Sequence, residues 1–186
     1  MSERNRTVFT LPNFLSLLRL ALIPVYVSLY KTAETPGQFF MAGGILMISC
    51  LTDLADGFLA RKFRMVSTLG IVLDPVADKA TQLTLAACLS ARYPPLLPVL
   101  LLLIVKETFQ LFAGLFFLRR GRMLSGALPE GKRSTAVLFT SLIVLVLFPG
   151  LPAAAVSLLS GINLIFLSLS FFGYIREYGS FSRRGT

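Results

Sequence analysis

All four aspartates of this chain, Asp53, Asp56, Asp74 and Asp78, fall inside one stretch that is otherwise apolar enough to lie in a membrane. On insertion scales a carboxylate near the bilayer centre costs roughly 2.5–3.5 kcal/mol, so four uncompensated ones would cost on the order of 10–14 kcal/mol. A fold that keeps them must supply positive charge. Bound divalent metal is the expected source, and metal beside a membrane points to phosphate chemistry. The 186 residues are 55% hydrophobic and 15% charged, against about 25% charged in a typical soluble domain. The expected fold class is therefore an all-α integral membrane protein, with residues 1–186 forming one membrane domain.

The net charge is +9, and its placement is more telling than its size. Most Lys and Arg residues gather in four clusters: Arg4 and Arg6; Arg61, Lys62 and Arg64; Arg119, Arg120, Arg122, Lys132 and Arg133; Arg176, Arg183 and Arg184. The loops on the opposite side hold only Lys31 and Arg92. The positive-inside rule then puts both termini and the two basic loops in the cytoplasm of a multi-pass protein. Topology and attraction to anionic membrane lipids account for most of these charges. Nucleic acid is excluded as a partner, because no soluble basic and aromatic surface exists to carry it. The chain has no His and no Trp, which removes histidine-based metal, general-base and triad chemistry. Cys50 and Cys88 sit singly in apolar runs and read as small packing residues.

Six apolar spans are expected, at about 14–31, 39–60, 68–91, 96–118, 134–150 and 154–175, each near the ~20 residues a bilayer requires. Thr10-Leu11-Pro12-Asn13 is a helix-start arrangement, and Phe14 to Arg19 is amphipathic, so an N-terminal interfacial helix is expected to lead into the first span. Arg4 and Arg6 before an apolar run resemble a signal peptide, but Arg19 interrupts the run and no small-residue cleavage pattern follows before Lys31. The segment is expected to be retained. Pro149-Gly150-Leu151-Pro152 is a tight turn into the last span. Gly43, Gly44, Gly57, Gly70 and Gly114 offer small surfaces for close helix approach.

Asp53, Asp56, Gly57, Ala60 and Arg61 stand at i, i+3, i+4, i+7 and i+8, one helix face. Gly70, Asp74 and Asp78 stand at i, i+4 and i+8, another. The short segment between them makes an antiparallel hairpin, so the two faces meet at one depth. Oxygen-only ligands suit Mg²⁺ or Mn²⁺, and four carboxylates are enough for two ions clamping an in-line displacement at phosphorus. Small residues let a nucleotide approach the backbone, and Arg61 neutralises phosphate.

The string D-x2-D-G-x2-A-R-x8-G-x3-D-x3-D, matched here at every fixed position, resembles that of the CDP-alcohol phosphatidyltransferase family. The resemblance implies a homodimeric membrane transferase that acts on a CDP-linked lipid and releases CMP. It implies that Asp53, Asp56, Asp74 and Asp78 hold metal and that Asp78 is also the general base for the acceptor hydroxyl. It further implies that Asp53, Gly57, Ala60 and Gly70 border the cytidine nucleotide while Arg61 holds phosphate. A hydroxyl attacking the β-phosphorus of such a lipid needs a base, which fits that assignment.

The opening Leu11-Pro12-Asn13-Phe14-Leu15-Ser16-Leu17-Leu18-Arg19 and the run Asp74-Pro75-Val76-Ala77-Asp78-Lys79 are similar to the phosphatidylglycerophosphate synthase branch. That likeness implies CDP-diacylglycerol as donor, sn-glycerol 3-phosphate as acceptor and a cell membrane, bacterial in the expected case. A dianionic acceptor wants cations, for which Arg19, Lys106, Lys132 and Arg133 are the candidates. The branch usually has Arg-Glu where this chain has Lys106-Glu107, and Gly-Lys-x-Lys-Thr where it has Gly131-Lys132-Arg133-Ser134-Thr135. Lys lacks the bidentate fork of Arg, so phosphatidylglycerol, giving cardiolipin, is the competing acceptor. From another class, a small cation transporter would use the Asp cluster as its pathway, but it leaves the Gly-x2-Ala-Arg pattern unexplained.

Overall fold

The computed structural model describes residues 11–35, 37–45, 48–49, 70–119 and 128–183. Among these, every element is a helix or a turn and no strand occurs. The chain divides into two packed units, Met1–Cys88 and Leu89–Thr186.

In the first unit, helix α1 runs Leu11–Thr32 without interruption. The expected interfacial helix is thus the opening turns of the first span and not a separate element. Nothing between Pro12 and Pro24 breaks a helix, and Pro24 removes one backbone bond without ending it. The buried side of α1 is a stripe of Asn13, Ser16, Arg19, Tyr26 and Tyr30, polar at its start and aromatic at its end. Gln38 Oε1 accepts the N–H groups of Glu34 and Thr35, at 2.7 and 3.0 Å, and so fixes the turn into α2 (helical residues 37–45 and 48–49). There Tyr26 stacks on Tyr30, and Tyr30 meets Phe39 edge-on. Helix α3, Gly70–Arg92, buries Ala77, Thr81, Gln82, Leu85 and Ala86, a stripe at helical spacing.

The second unit holds α4 (Leu97–Arg119), α5 (Pro129–Leu147) and α6 (Ala153–Arg183), with a 3₁₀ turn at Pro94–Leu96 before α4. Ser160 Oγ donates to the Pro95 carbonyl at one end of α6, while Tyr178 stacks on Phe117 near the other. Helices α4 and α6 are therefore parallel, with α5 returning between their ends. The Tyr93 hydroxyl donates to the Pro149 carbonyl at 3.0 Å and ties the two connecting turns together. The opposite end gathers Arg119, Lys132, Arg133 and Arg176.

Two boundaries differ from expectation. Helix α5 starts at Pro129, not near 134, because Pro at the first position and Glu130 in the first turn both favour a helix N-terminus. Helix α6 has 31 residues and outlasts its apolar window, since no proline follows to stop it. By length and composition, Asn13–Thr32, Pro94–Arg119 and Ala153–Ser180 are long and apolar enough to cross a membrane. Helix α3 falls short because it carries Asp74, Asp78 and Lys79, and α5 because its first turns hold Glu130, Lys132 and Arg133.

Candidate functional site

Gly70, Asp74 and Asp78 all lie on α3, the aspartates at positions one turn apart on one face. Asp78 is the acidic side chain of that set whose contacts are described. Its carboxylate accepts a hydrogen bond from the guanidinium of Arg19, forming an ion pair across 59 positions of sequence. The two partners differ sharply in setting: the Arg19 side chain is 2% exposed and that of Asp78 is 46% exposed. A buried cation thus leans on a carboxylate that remains open on its other side. Asn13 and Ser16, at 1% and 0% exposure, continue the same face of α1.

Asp53, Asp56, Gly57, Ala60 and Arg61 lie outside the described residues. Among those described, no three acidic, Cys or His groups come together. The Asp78 carboxylate is an oxygen donor that stays half-exposed and already draws a full positive charge to itself. That chemistry fits a hard cation.

The cations considered for an acceptor divide in kind. Lys106, in the middle of α4, is 2% exposed; its ammonium donates to Glu107 Oε1 at 2.7 Å and lies 5.9 Å from the Tyr174 ring centroid. Lys132 and Arg133 are exposed, while their neighbours Gly131 and Ser134 are buried. Tyr174 organises this corner of the second unit. Its hydroxyl accepts the Leu128 N–H at 3.3 Å and its ring stacks on Tyr178. A Cβ on Gly131 would stand 2.6 Å from that hydroxyl, so any larger residue there requires the Tyr174 ring to shift. Ser134 Oγ donates to the Gly131 carbonyl at 3.0 Å.

Sequence reading named Arg19 as a phosphate candidate but not as the partner of Asp78. The spacing Asn13, Ser16, Arg19 on an apolar helix was the available signal, since a polar stripe there requires a polar neighbour. Gly131 is a close-approach site outside the expected set of Gly43, Gly44, Gly57, Gly70 and Gly114. Around Gly44 the space is open, and Gly114 makes an ordinary 3.7 Å contact with the Tyr178 hydroxyl.

The family model described as CDP-alcohol phosphatidyltransferase matches residues 9–172, nearly the whole chain. The chain belongs to the CDP-alcohol phosphatidyltransferase family. Within it, 113 residues are 38% identical to the cardiolipin synthase (CMP-forming) of Rattus norvegicus, covering 60% of this chain and 35% of that protein. Over 71 residues the chain is 41% identical to the CDP-diacylglycerol–glycerol-3-phosphate 3-phosphatidyltransferase of Escherichia coli (strain K12), covering 38% of each. A cardiolipin synthase and mitochondrial hydrolase fusion protein of Schizosaccharomyces pombe is 41% identical over 87 residues, 46% of this chain and 14% of that one. These matches span well under two thirds of the relatives' own lengths. The family's span reaches from just before α1 into α6, so both the Arg19–Asp78 pair and the Lys106 corner fall inside it.

Proposed function

We propose that this protein transfers a phosphatidyl group from CDP-diacylglycerol to sn-glycerol 3-phosphate, giving phosphatidylglycerophosphate and CMP. The observation that carries the proposal is Asp78, half-exposed on the acidic face of α3 and held by a buried guanidinium. In this reading Asp78 takes the proton from the acceptor hydroxyl as that oxygen bonds to the β-phosphorus. The bond from that phosphorus to the bridging oxygen breaks, and CMP leaves with the electron pair. Arg19 orients the Asp78 carboxylate and supplies positive charge where the acceptor's phosphate arrives. Asp53, Asp56, Asp74 and Asp78 would hold Mg²⁺ or Mn²⁺, two ions in the full set, which would supply positive charge for the pyrophosphate. Asp53, Gly57, Ala60, Gly70 and Arg61 border the nucleotide and its phosphates. The protein works as a homodimer of six-span subunits in the cell membrane, with both termini cytoplasmic.

A second acceptor reading has support from the relatives. The chain aligns with a cardiolipin synthase over 113 residues and with a glycerol-3-phosphate phosphatidyltransferase over 71. Phosphatidylglycerol would then replace glycerol 3-phosphate. CMP release by purified protein from CDP-diacylglycerol, with each acceptor in turn, separates the two. Release driven by glycerol 3-phosphate, abolished by chelation and restored by Mg²⁺ or Mn²⁺, is the expected result. Release driven by phosphatidylglycerol alone overturns the acceptor assignment, and release indifferent to chelation overturns the metal assignment. In Asp78→Asn, turnover should be lost while CDP-lipid binding stays measurable.

A further inference from the structure

Arg19 is among the largest fully buried side chains of the protein, and it lies in the buried stripe of α1 with Asn13 and Ser16. A long side chain buried to this degree is held by its neighbours, and a guanidinium keeps its charge at every ordinary pH. That charge is therefore fixed at the Asp78 carboxylate, which is 46% exposed and so within reach of a small cation. The pair is already electrically neutral. A divalent ion on a lone carboxylate keeps one uncompensated charge, whereas on Asp78 beside Arg19 it keeps two. Cations that share one carboxylate stand inside the roughly 8 Å over which physiological salt screens charges, and a buried one is screened least.

We infer that Arg19 is a resident counter-charge that holds down the metal affinity of the substrate-free site, so that metal is retained firmly only with the donor present. The inference rests on the proposed reading in which Asp78 helps to hold Mg²⁺ or Mn²⁺, and it adds a coupling between metal and donor. The pyrophosphate of CDP-diacylglycerol carries two negative charges, which match the two that Arg19 leaves uncompensated. By linkage, donor and metal then strengthen each other's binding by the same factor. No bond is made or broken in this step. Two effects of Arg19 oppose one another, and their sizes decide the sign. A single and a double positive charge roughly 7 Å apart, at an effective dielectric between about 40 and 80, weaken metal binding about seven- to fiftyfold. The order that Arg19 imposes on the Asp78 carboxylate favours binding by only about twofold. Charge wins.

The test titrates Mn²⁺ alone into the substrate-free protein in detergent and follows loss of the free-ion electron paramagnetic resonance signal, so turnover plays no part. Arg19→Met should bind Mn²⁺ about four- to twenty-fivefold more tightly than wild type. Arg19→Lys, which restores the charge without the fork, should stay within about twofold of wild type. Adding CDP-diacylglycerol, with protein-free micelles of the same lipid as the reference, should tighten wild-type binding about tenfold or more. A Met variant that binds no tighter than wild type, or a Lys variant as tight as the Met variant, overturns the inference. If Arg19→Met does not fold, Arg19→Gln carries the same expectation. Wild-type protein that binds Mn²⁺ equally with and without the donor overturns the inference independently of any variant. Failure of the underlying metal reading looks different, and the inference falls with it: either no protein-dependent loss of signal appears even with the donor present, or Asp78→Asn binds Mn²⁺ as wild type does.

Discussion

Replacing Asp78 by Asn should destabilise the first unit more than replacing Arg19 by Met, although both remove the same ion pair. Breaking a buried pair from one side costs about 3–5 kcal/mol when the surviving charge stays buried. Arg19 is that kind of survivor at 2% exposure, but the open side of Asp78 lets water screen the pair. The discounted expectation for Asp78→Asn is about 2–3 kcal/mol. Arg19→Met keeps most of the aliphatic stem and leaves a carboxylate that water already reaches, for a loss of about 1 kcal/mol. In a chain of this size each kcal/mol moves Tm by about 2–4 °C. The Asn variant should melt about 4–12 °C below the parent, and the Met variant about 2–4 °C below. The double variant should match Arg19→Met alone to within about 0.5 kcal/mol, because the two side chains act as a unit. Circular dichroism melts in detergent with chelator present read these differences. A Met variant that melts lower than the Asn variant, or single losses that simply add, would refute the burial argument.

Lys106→Ala should cost about 3–5 kcal/mol, since the Glu107 side chain is only 13% exposed and loses its cation. It should also raise the KM for glycerol 3-phosphate more than that for CDP-diacylglycerol; equal changes in both would mark Lys106 as structural. Gly131→Ala should lose about 1–3 kcal/mol by driving a methyl into the Tyr174 hydroxyl. Tyr174→Phe added to that variant should recover part of the loss in a thermal melt, and a further full-sized drop would show the clash is not the cause.

Much of the helical layout was legible because proline and glycine punctuate it. Tyr93-Pro94-Pro95 and Pro149-Gly150 fall at turns, where missing donors and tight backbone leave a helix no alternative. Arg92 ends α3 within one residue of the expected span. Apolarity misplaced the ends of α5 and α6, because it reports the bilayer and not the hydrogen-bond ladder: Lys132, Arg133 and Arg176 are helical although they are charged. The site was half legible. Periodicity put Asp74 and Asp78 on one face, whereas the partner of Asp78 is a tertiary fact that no local spacing encodes. The polar stripe of α1 announced a buried polar neighbour without naming it. Asp53, Asp56, Gly57, Ala60 and Arg61 keep their sequence assignment alone.

The long reach of the Arg19–Asp78 contact also sets an order of assembly. At ordinary synthesis rates the ribosome needs roughly 3–12 s to make the 59 positions between the two residues. Throughout that interval the emerging first helix carries its guanidinium before the Asp78 carboxylate exists. Near the bilayer centre such a charge costs roughly 2.5–3.5 kcal/mol, and a long side chain lowers the cost by reaching for the headgroups. The first helix is expected to settle to its final depth more firmly once the third arrives, a dependence that alkaline extraction of nascent chains truncated before Asp78 would test. On that expectation the Arg19–Asp78 contact would serve, during biogenesis, as a latch between the first helix and the third.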